Sequence, residues 1–253
     1  MRLHLPGRTQ GKTNYMFGWR ARIGYLCPSV FEMIGYDFYR IVPPGVGMIG
    51  VTCMIDGWRA DAYQTGLARV EECATELGRC KCDFIIHSGV PLVVSQGKGY
   101  EREVVNKIET LTNVAATTSI VAAMEALRVL SVRRVGLVNP YPSELNNAVV
   151  AFMNDHGFEV ETVISLGADF TRIGDVSEAD VYAAAKQAVK QSPKLEALYL
   201  PCPQFPALNV LESIECDLRI PAVGHLSSEI WMAFKTLNIR TPIRGFGKLL
   251  TML

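Results

Sequence analysis

The chain has 253 residues, 49% of them hydrophobic and 20% charged, enough for one large α/β domain or two small lobes with a real core. Lys+Arg and Asp+Glu both total 25, so no long-range field gathers nucleic acid or an anionic membrane, and a small-molecule site is expected. Seven cysteines, an odd number, with several in apolar runs and no charged-then-apolar leader, predict free thiols in a reducing cytoplasm. No run approaches the roughly 18 apolar residues a spanning helix needs.

In chain order, residues 1–20 are polar, glycine-containing and without period, and read as an N-terminal arm. Within it Gly7-Arg8-Thr9-Gln10-Gly11-Lys12-Thr13 is one residue short of a phosphate-binding loop and follows no strand, so that reading is rejected. Strands are then predicted near Arg22–Cys27, Met48–Met54 and Phe84–His87, with helices near Ala60–Gly78 and Glu101–Leu111. Thr117-Thr118-Ser119 is expected to cap a helix reaching Leu130. The second half repeats the order. Strands fall near Arg134–Val138, Glu159–Ile164, Ala197–Leu200 and Ala222–Gly224, and helices near Ser143–His156, Glu178–Gln191, Ala207–Cys216 and, capped near Ser227, to Leu237.

The repeat extends to residues. Arg22-Ile23-Gly24 is echoed by Arg134-Val135-Gly136, and the run ending in Ser88-Gly89 by the run ending in Pro201-Cys202, at offsets of 112 and 113 residues. This predicts an α/β fold of two pseudo-twofold, flavodoxin-like lobes, each a parallel sheet flanked by helices, with the active-site cleft between them. The expected division is 21–119 for the first lobe, joined by the tail 226–253, and 120–225 for the second. Ligands in such sheets bind beyond the carboxyl ends of the strands. Those ends carry Cys27-Pro28-Ser29, Ser88-Gly89-Val90-Pro91, Asn139-Pro140-Tyr141 and Cys202-Pro203-Gln204.

Cys202, between two prolines past an apolar strand, is expected to lie part-exposed at the cleft mouth as an acid or nucleophile. Cys73, Cys80 and Cys82 crowd together without zinc spacing and are read as structural. Gln96-Gly97-Lys98-Gly99-Tyr100 reads as a turn entering a helix. His87 and His225 are each read as hydrogen-bonded structural histidines that are able to carry a proton. Tyr141, directly after the fourth strand end, either offers its phenol to a carboxylate or only packs.

At these strand ends the chain resembles the aspartate/glutamate racemase superfamily, in the branch of maleate cis-trans isomerase and arylmalonate decarboxylase. The likeness runs from about Arg22 to Leu250. It is carried by Ile23-Gly24 leading to Pro28, Ser88-Gly89, Ser131 to Val135 with Tyr141, Ser165-Leu166-Gly167, Cys202, Trp231 and Gly245 to Leu250. Racemases and isomerases of the superfamily carry a cysteine on each lobe. Gly89 at the first position and Cys202 at the second give the single-cysteine pattern of arylmalonate decarboxylase. The resemblance therefore implies a cofactor-free, metal-free lyase in which Cys202 protonates an enediolate-like intermediate from one face, while Tyr141 binds the surviving carboxylate.

The chain departs from the family at Val90 and Pro91, where hydroxyl residues are usual, and at Pro203, which removes an amide donor. Ser88, Ser29, Thr117, Thr118 or His87 are the substitutes on offer, and Pro28 and Gln204 complete the predicted substrate-binding set. Phe31, Val90, Leu92 and Phe205 would make the pocket apolar, with Phe31 and about Thr171 where maleate isomerases place asparagines. The alternatives are a maleate isomerase or racemase, with His87 replacing the missing thiol, and an inactive protein that binds small carboxylates. Nucleic acid and membrane partners are not expected, and the sequence leaves homo-oligomerisation open.

Overall fold

A computed structural model describes residues 17–30 and 32–253. The glycine-lysine loop at Gly7 to Thr13 and the side chain of Phe31 lie outside the described residues.

The first sheet is built from β1 (Ala21–Cys27), β2 (Val46–Thr52), β3 (Phe84–His87) and β4 (Ala116–Thr118), in the order β2-β1-β3-β4. The second has β5 (Arg134–Asn139), β6 (Glu159–Ser165), β7 (Ala197–Leu200) and β8 (Ala222–Gly224), in the order β6-β5-β7-β8. All pairings are parallel. The two sheets therefore share one topology, as the repeated sequence predicts. Register repeats too: Gly24 pairs with Ile85, and Gly136 with Leu198. Both glycines are required by close approach. A Cβ on Gly24 would stand 2.9 Å from Cys82 Sγ, and one on Gly136 2.9 Å from Leu198 Cδ2.

Helices cover both faces, so the central strands β1, β3 and β7 are almost wholly apolar. In the first lobe these are α1 (Glu32–Ile41), α2 (Ala60–Ala68), α3 (Val70–Arg79), α4 (Val90–Val94), α5 (Tyr100–Thr112) and α6 (Ser119–Val129). They are followed by α7 (Ser143–Asp155), α8 (Glu178–Gln191), α9 (Leu211–Leu218) and α10 (His225–Thr236). Alternation along β1 sends Ile23, Tyr25 and Cys27 into the main core and Leu26 into a satellite core under α3 and α5. The main core runs continuously from one lobe into the other, and α6 packs against α10.

Several elements differ from expectation. The helix predicted over Ala60–Gly78 breaks at Arg69, whose amide bonds back to Gly66 and Leu67, and resumes as α3. The helix predicted from Ala207 opens with a 3-10 turn at Leu208–Val210. The last helix starts at His225 behind Gly224, and Ser227 sits three residues inside it, exchanging hydrogen bonds with the Gly224 backbone. Thr118 does cap α6, accepting from Val121 N at 3.3 Å. In the tail, Lys248 N bonds Glu215, while Thr241 accepts from Arg20.

Candidate active site

Cys202 follows β7 with φ +93°, a conformation L-residues rarely adopt. Such backbone is costly, by about 1–3 kcal/mol, and persists where the surroundings force it. Contrary to the sequence expectation the thiol is not part-exposed: residue 202 is 4% accessible, in the main core beside Phe205 and Leu208. Burial pushes its pKa up to about 12, opposed by the amides of Gln204 and Phe205 and by the Tyr141 phenol. Pro203 cannot donate, and the next two amides take over that duty. At neutral pH the resting group is therefore a protonated thiol.

Tyr141 is 1% accessible, and its hydroxyl closes no hydrogen bond among the described residues. Burial first, then the charge of a Cys202 thiolate, raises its pKa. Its backbone is held hard. Asn139 Oδ1 accepts from Tyr141 N at 2.8 Å, Asn146 Nδ2 and Ser165 Oγ donate to Tyr141 O, and the two asparagines bond each other at 2.8 Å. Trp58 from the other lobe stacks edge-on at 5.3 Å and meets Phe170 at 4.7 Å. A phenol so rigid, beside the Cys202 sulfur and closing no hydrogen bond of good geometry, is placed to turn its hydrogen to a ligand. Tyr141→Phe should keep or slightly raise the melting temperature, since an unsatisfied buried hydroxyl is lost, yet lower kcat/KM about tenfold or more. Melting curves beside kinetics check both; a destabilised, fully active variant would contradict the assignment.

In the first lobe Gly89 precedes α4, and a Cβ there would stand 3.1 Å from His87 Cε1 and 3.5 Å from Leu92 Cδ1. His87 fills the space beside the missing side chain. It is fully buried, with both ring nitrogens unbonded, so the expected hydrogen-bonded histidine is not found, and burial lowers its pKa to about 4. Val90 is buried in the main core and Leu92 in a separate cluster with Ile55, Ala62 and Tyr63.

Ser88 is redirected. Its hydroxyl donates to Glu229 Oε1 at 2.7 Å and lies 2.9 Å from His225 Nε2, so it is committed inside the protein. Thr117 and Thr118 hydroxyls are likewise taken by backbone. Pro28 accepts from Ile55 N, and Ser29 O from Thr52 Oγ1. Ser29 and Gln204 line a cavity of about 560 Å³ between α1 and the turn at Phe170–Asp175, and Thr171 lies on its far wall. Gln204 clamps the lobes: Oε1 accepts from Met33 N at 3.1 Å, and Nε2 donates to Val30 O at 3.3 Å. Sequence reasoning missed Trp58, Asn139, Asn146 and Glu229. The run Asn139-Pro140-Tyr141 with Asn146 one turn into α7 was the available signal for two of them.

Among the described residues no group of His, Cys, Asp or Glu is arranged to hold a metal ion, and Cys73 instead lies 3.9 Å from Cys53. No helix among them is long and apolar enough to cross a membrane.

A thiol enclosed where two like-folded α/β lobes meet, with the Gln204 and Phe205 amides and the Tyr141 phenol beside it, marks the candidate site of a two-lobed α/β enzyme. The chain belongs to the arylmalonate decarboxylase family, whose model matches residues 41–250. It is similar to a maleate isomerase of Geobacillus stearothermophilus, 26% identical over 72% of this chain and 74% of that one. An arylmalonate decarboxylase of Bordetella bronchiseptica is 23% identical over 90% and 95%. A mutant maleate cis-trans isomerase of Nocardia farcinica, solved with a covalently bound succinylcysteine intermediate, superposes with TM-score 0.85 at 22% identity, covering 92% of this chain and 99% of that one.

Proposed function

We propose that the protein is a cofactor-independent decarboxylase acting on a small carboxylic acid of the malonate type, with Cys202 as the proton donor. The observation that carries this reading is the setting of the thiol: 4% accessible, on left-handed backbone at φ +93°, in the core that also holds Tyr141, Val90 and Phe205. Carbon dioxide leaves without the electron pair of the broken C–C bond, which spreads into the remaining carboxylate. Tyr141 Oη supports that charge, and Cys202 S–H then gives its proton to carbon from one face only. Val90 and Phe205, buried in the same core as Cys202, give apolar surroundings that disfavour the departing carboxylate and suit its loss as neutral gas.

The reading as a maleate isomerase needs a thiolate that adds to carbon, as in the Nocardia enzyme with its succinylcysteine. The Gln204 and Phe205 amides favour it, but burial outweighs them. Incubation with substituted malonates and with maleate separates the readings. Carbon dioxide release and one enantiomer of product support decarboxylation; fumarate formation with no carbon dioxide would overturn it.

The pH profile follows from the same group. The donor is S–H, and its folded pKa is raised, so the competent form persists through the range where an ordinary thiol ionises. The rate should show no alkaline fall from thiol ionisation between pH 7 and about 9.5. Folding stability should decline as pH rises above the usual thiol range, because the unfolded chain then releases a proton that the folded one keeps. A pH–kcat profile with a limb near 8.5 that disappears in Cys202→Ser would contradict this.

A further inference from the structure

Decarboxylation by a thiol leaves a thiolate, and this one is buried, so a proton must reach it before the next turnover. Next to Gly89 lies a buried polar cluster whose hydrogen bonds close on one another. Glu229, on α10 and fully buried, receives Ser88 Oγ at 2.7 Å, Ser119 Oγ at 2.8 Å and His225 Nε2 at 3.0 Å, all on Oε1. Ser88 spends its hydrogen on Glu229, so His225 Nε2 faces two acceptors and carries a proton. Its other nitrogen, Nδ1, is buried and bonded to no described group. Residues His225, Cys202 and Asp37 line one small cavity of about 20 Å³, room for a single water molecule. Asp37, its side chain 11% exposed, pairs at 2.9 Å with Arg40, which is itself 34% exposed to solvent.

We infer that His225, seated on Glu229 and Ser88, returns the proton to Cys202 after each turnover, with Asp37 as the port to solvent. This rests on the reading of Cys202 as the proton donor. In the chemical step the S–H bond breaks and a C–H bond forms. In the return step an imidazolium N–H bond breaks, through a water in the shared cavity, and S–H is restored. The imidazole then takes one proton from solvent, so each carbon dioxide released consumes one solvent proton. The pseudo-symmetry supports a purpose-built site: Ser119 and His225 both open the helix after the last strand of their lobe, and both converge on Glu229.

The test is His225→Gln, which retains a hydrogen-bond donor but cannot carry a cationic proton. The first turnover should proceed near the wild-type rate, using the proton already on Cys202, and later turnovers should slow about 10²-fold, giving a burst of one product per site. Equal loss in the first and later turnovers would mark a merely structural residue and overturn the inference, as would no change. A second readout needs no substrate. The S–H stretch of Cys202, assigned by difference from Cys202→Ala, should exchange in D2O at least tenfold more slowly in His225→Gln than in wild type. Unchanged exchange overturns the relay. Slowed exchange in a protein that decarboxylates no malonate sustains the relay and rejects the decarboxylase reading instead. Should His225→Gln not fold, Glu229→Gln is read by the same exchange.

Discussion

Cys202→Ala is expected to lower kcat by about 10²–10⁴-fold while leaving the fold and substrate affinity nearly intact. The loss is large because nothing stands in for the thiol. Gly89 has no side chain, and the group beside it, His87, has its pKa lowered to about 4 by burial and so carries no proton to spare at pH 7. The fold survives because alanine keeps the Cβ and so the same backbone requirement at φ +93°, and one buried sulfur is a small part of a core that runs through both lobes. Turnover with malonates and circular dichroism on the same preparation measure both halves. An alanine variant with wild-type turnover would remove Cys202 from the mechanism.

The second large effect concerns stability. Glu229→Ala is expected to cost about 3–5 kcal/mol, because three buried groups lose one shared acceptor at a stroke. Ser88, Ser119 and His225 would all be left facing a void, and water has no open path in, since none of them exceeds 3% accessibility. Glu229→Gln retains the acceptor oxygen and should cost about 1 kcal/mol. Urea denaturation of the three proteins gives the comparison directly. If the alanine and glutamine variants were equally stable, the cluster would not be the bridge between the Ser88 loop and the last helix that its hydrogen bonds describe.

The repeat was legible because it is written in the two positions where backbone packing admits only glycine, Gly24 and Gly136, and in strands whose apolar runs are short and bounded. Less visible were α1, whose aromatic and polar residues Tyr36, Asp37 and Tyr39 mask its period, and α4, where Val90-Pro91-Leu92-Val93-Val94 has strand-like composition. The lone candidate thiol was found by comparing copies, but its burial was not, because the residues covering it, Phe205 and Leu208, follow in a turn of no regular pattern. Glu229 was the hardest to see. A glutamate inside an amphipathic helix reads as a solvated face, and only the meeting of α10 with Ser88 and Ser119, more than 100 residues away in sequence, turns it inward. The hydroxyls of Ser88, Thr117 and Thr118 serve the protein itself for the same reason: sequence gives the element, and packing decides which way its side chains face.

The Gln204 clamp carries a consequence for selectivity. Its amide already satisfies one donor and one acceptor on the opposite lobe, Met33 N and Val30 O, from a residue two places beyond Cys202. A ligand that takes this amide must first win it from the protein, giving up about 1 kcal/mol for each bond it breaks. Molecules presenting only an acceptor or only a donor exchange at a loss, whereas one presenting both, in the spacing of a peptide group, exchanges at par. The clamp thus acts as a competitor built into the chain, screening what settles in the cavity between α1 and the turn at Phe170–Asp175 by the pattern of its hydrogen bonds rather than by size.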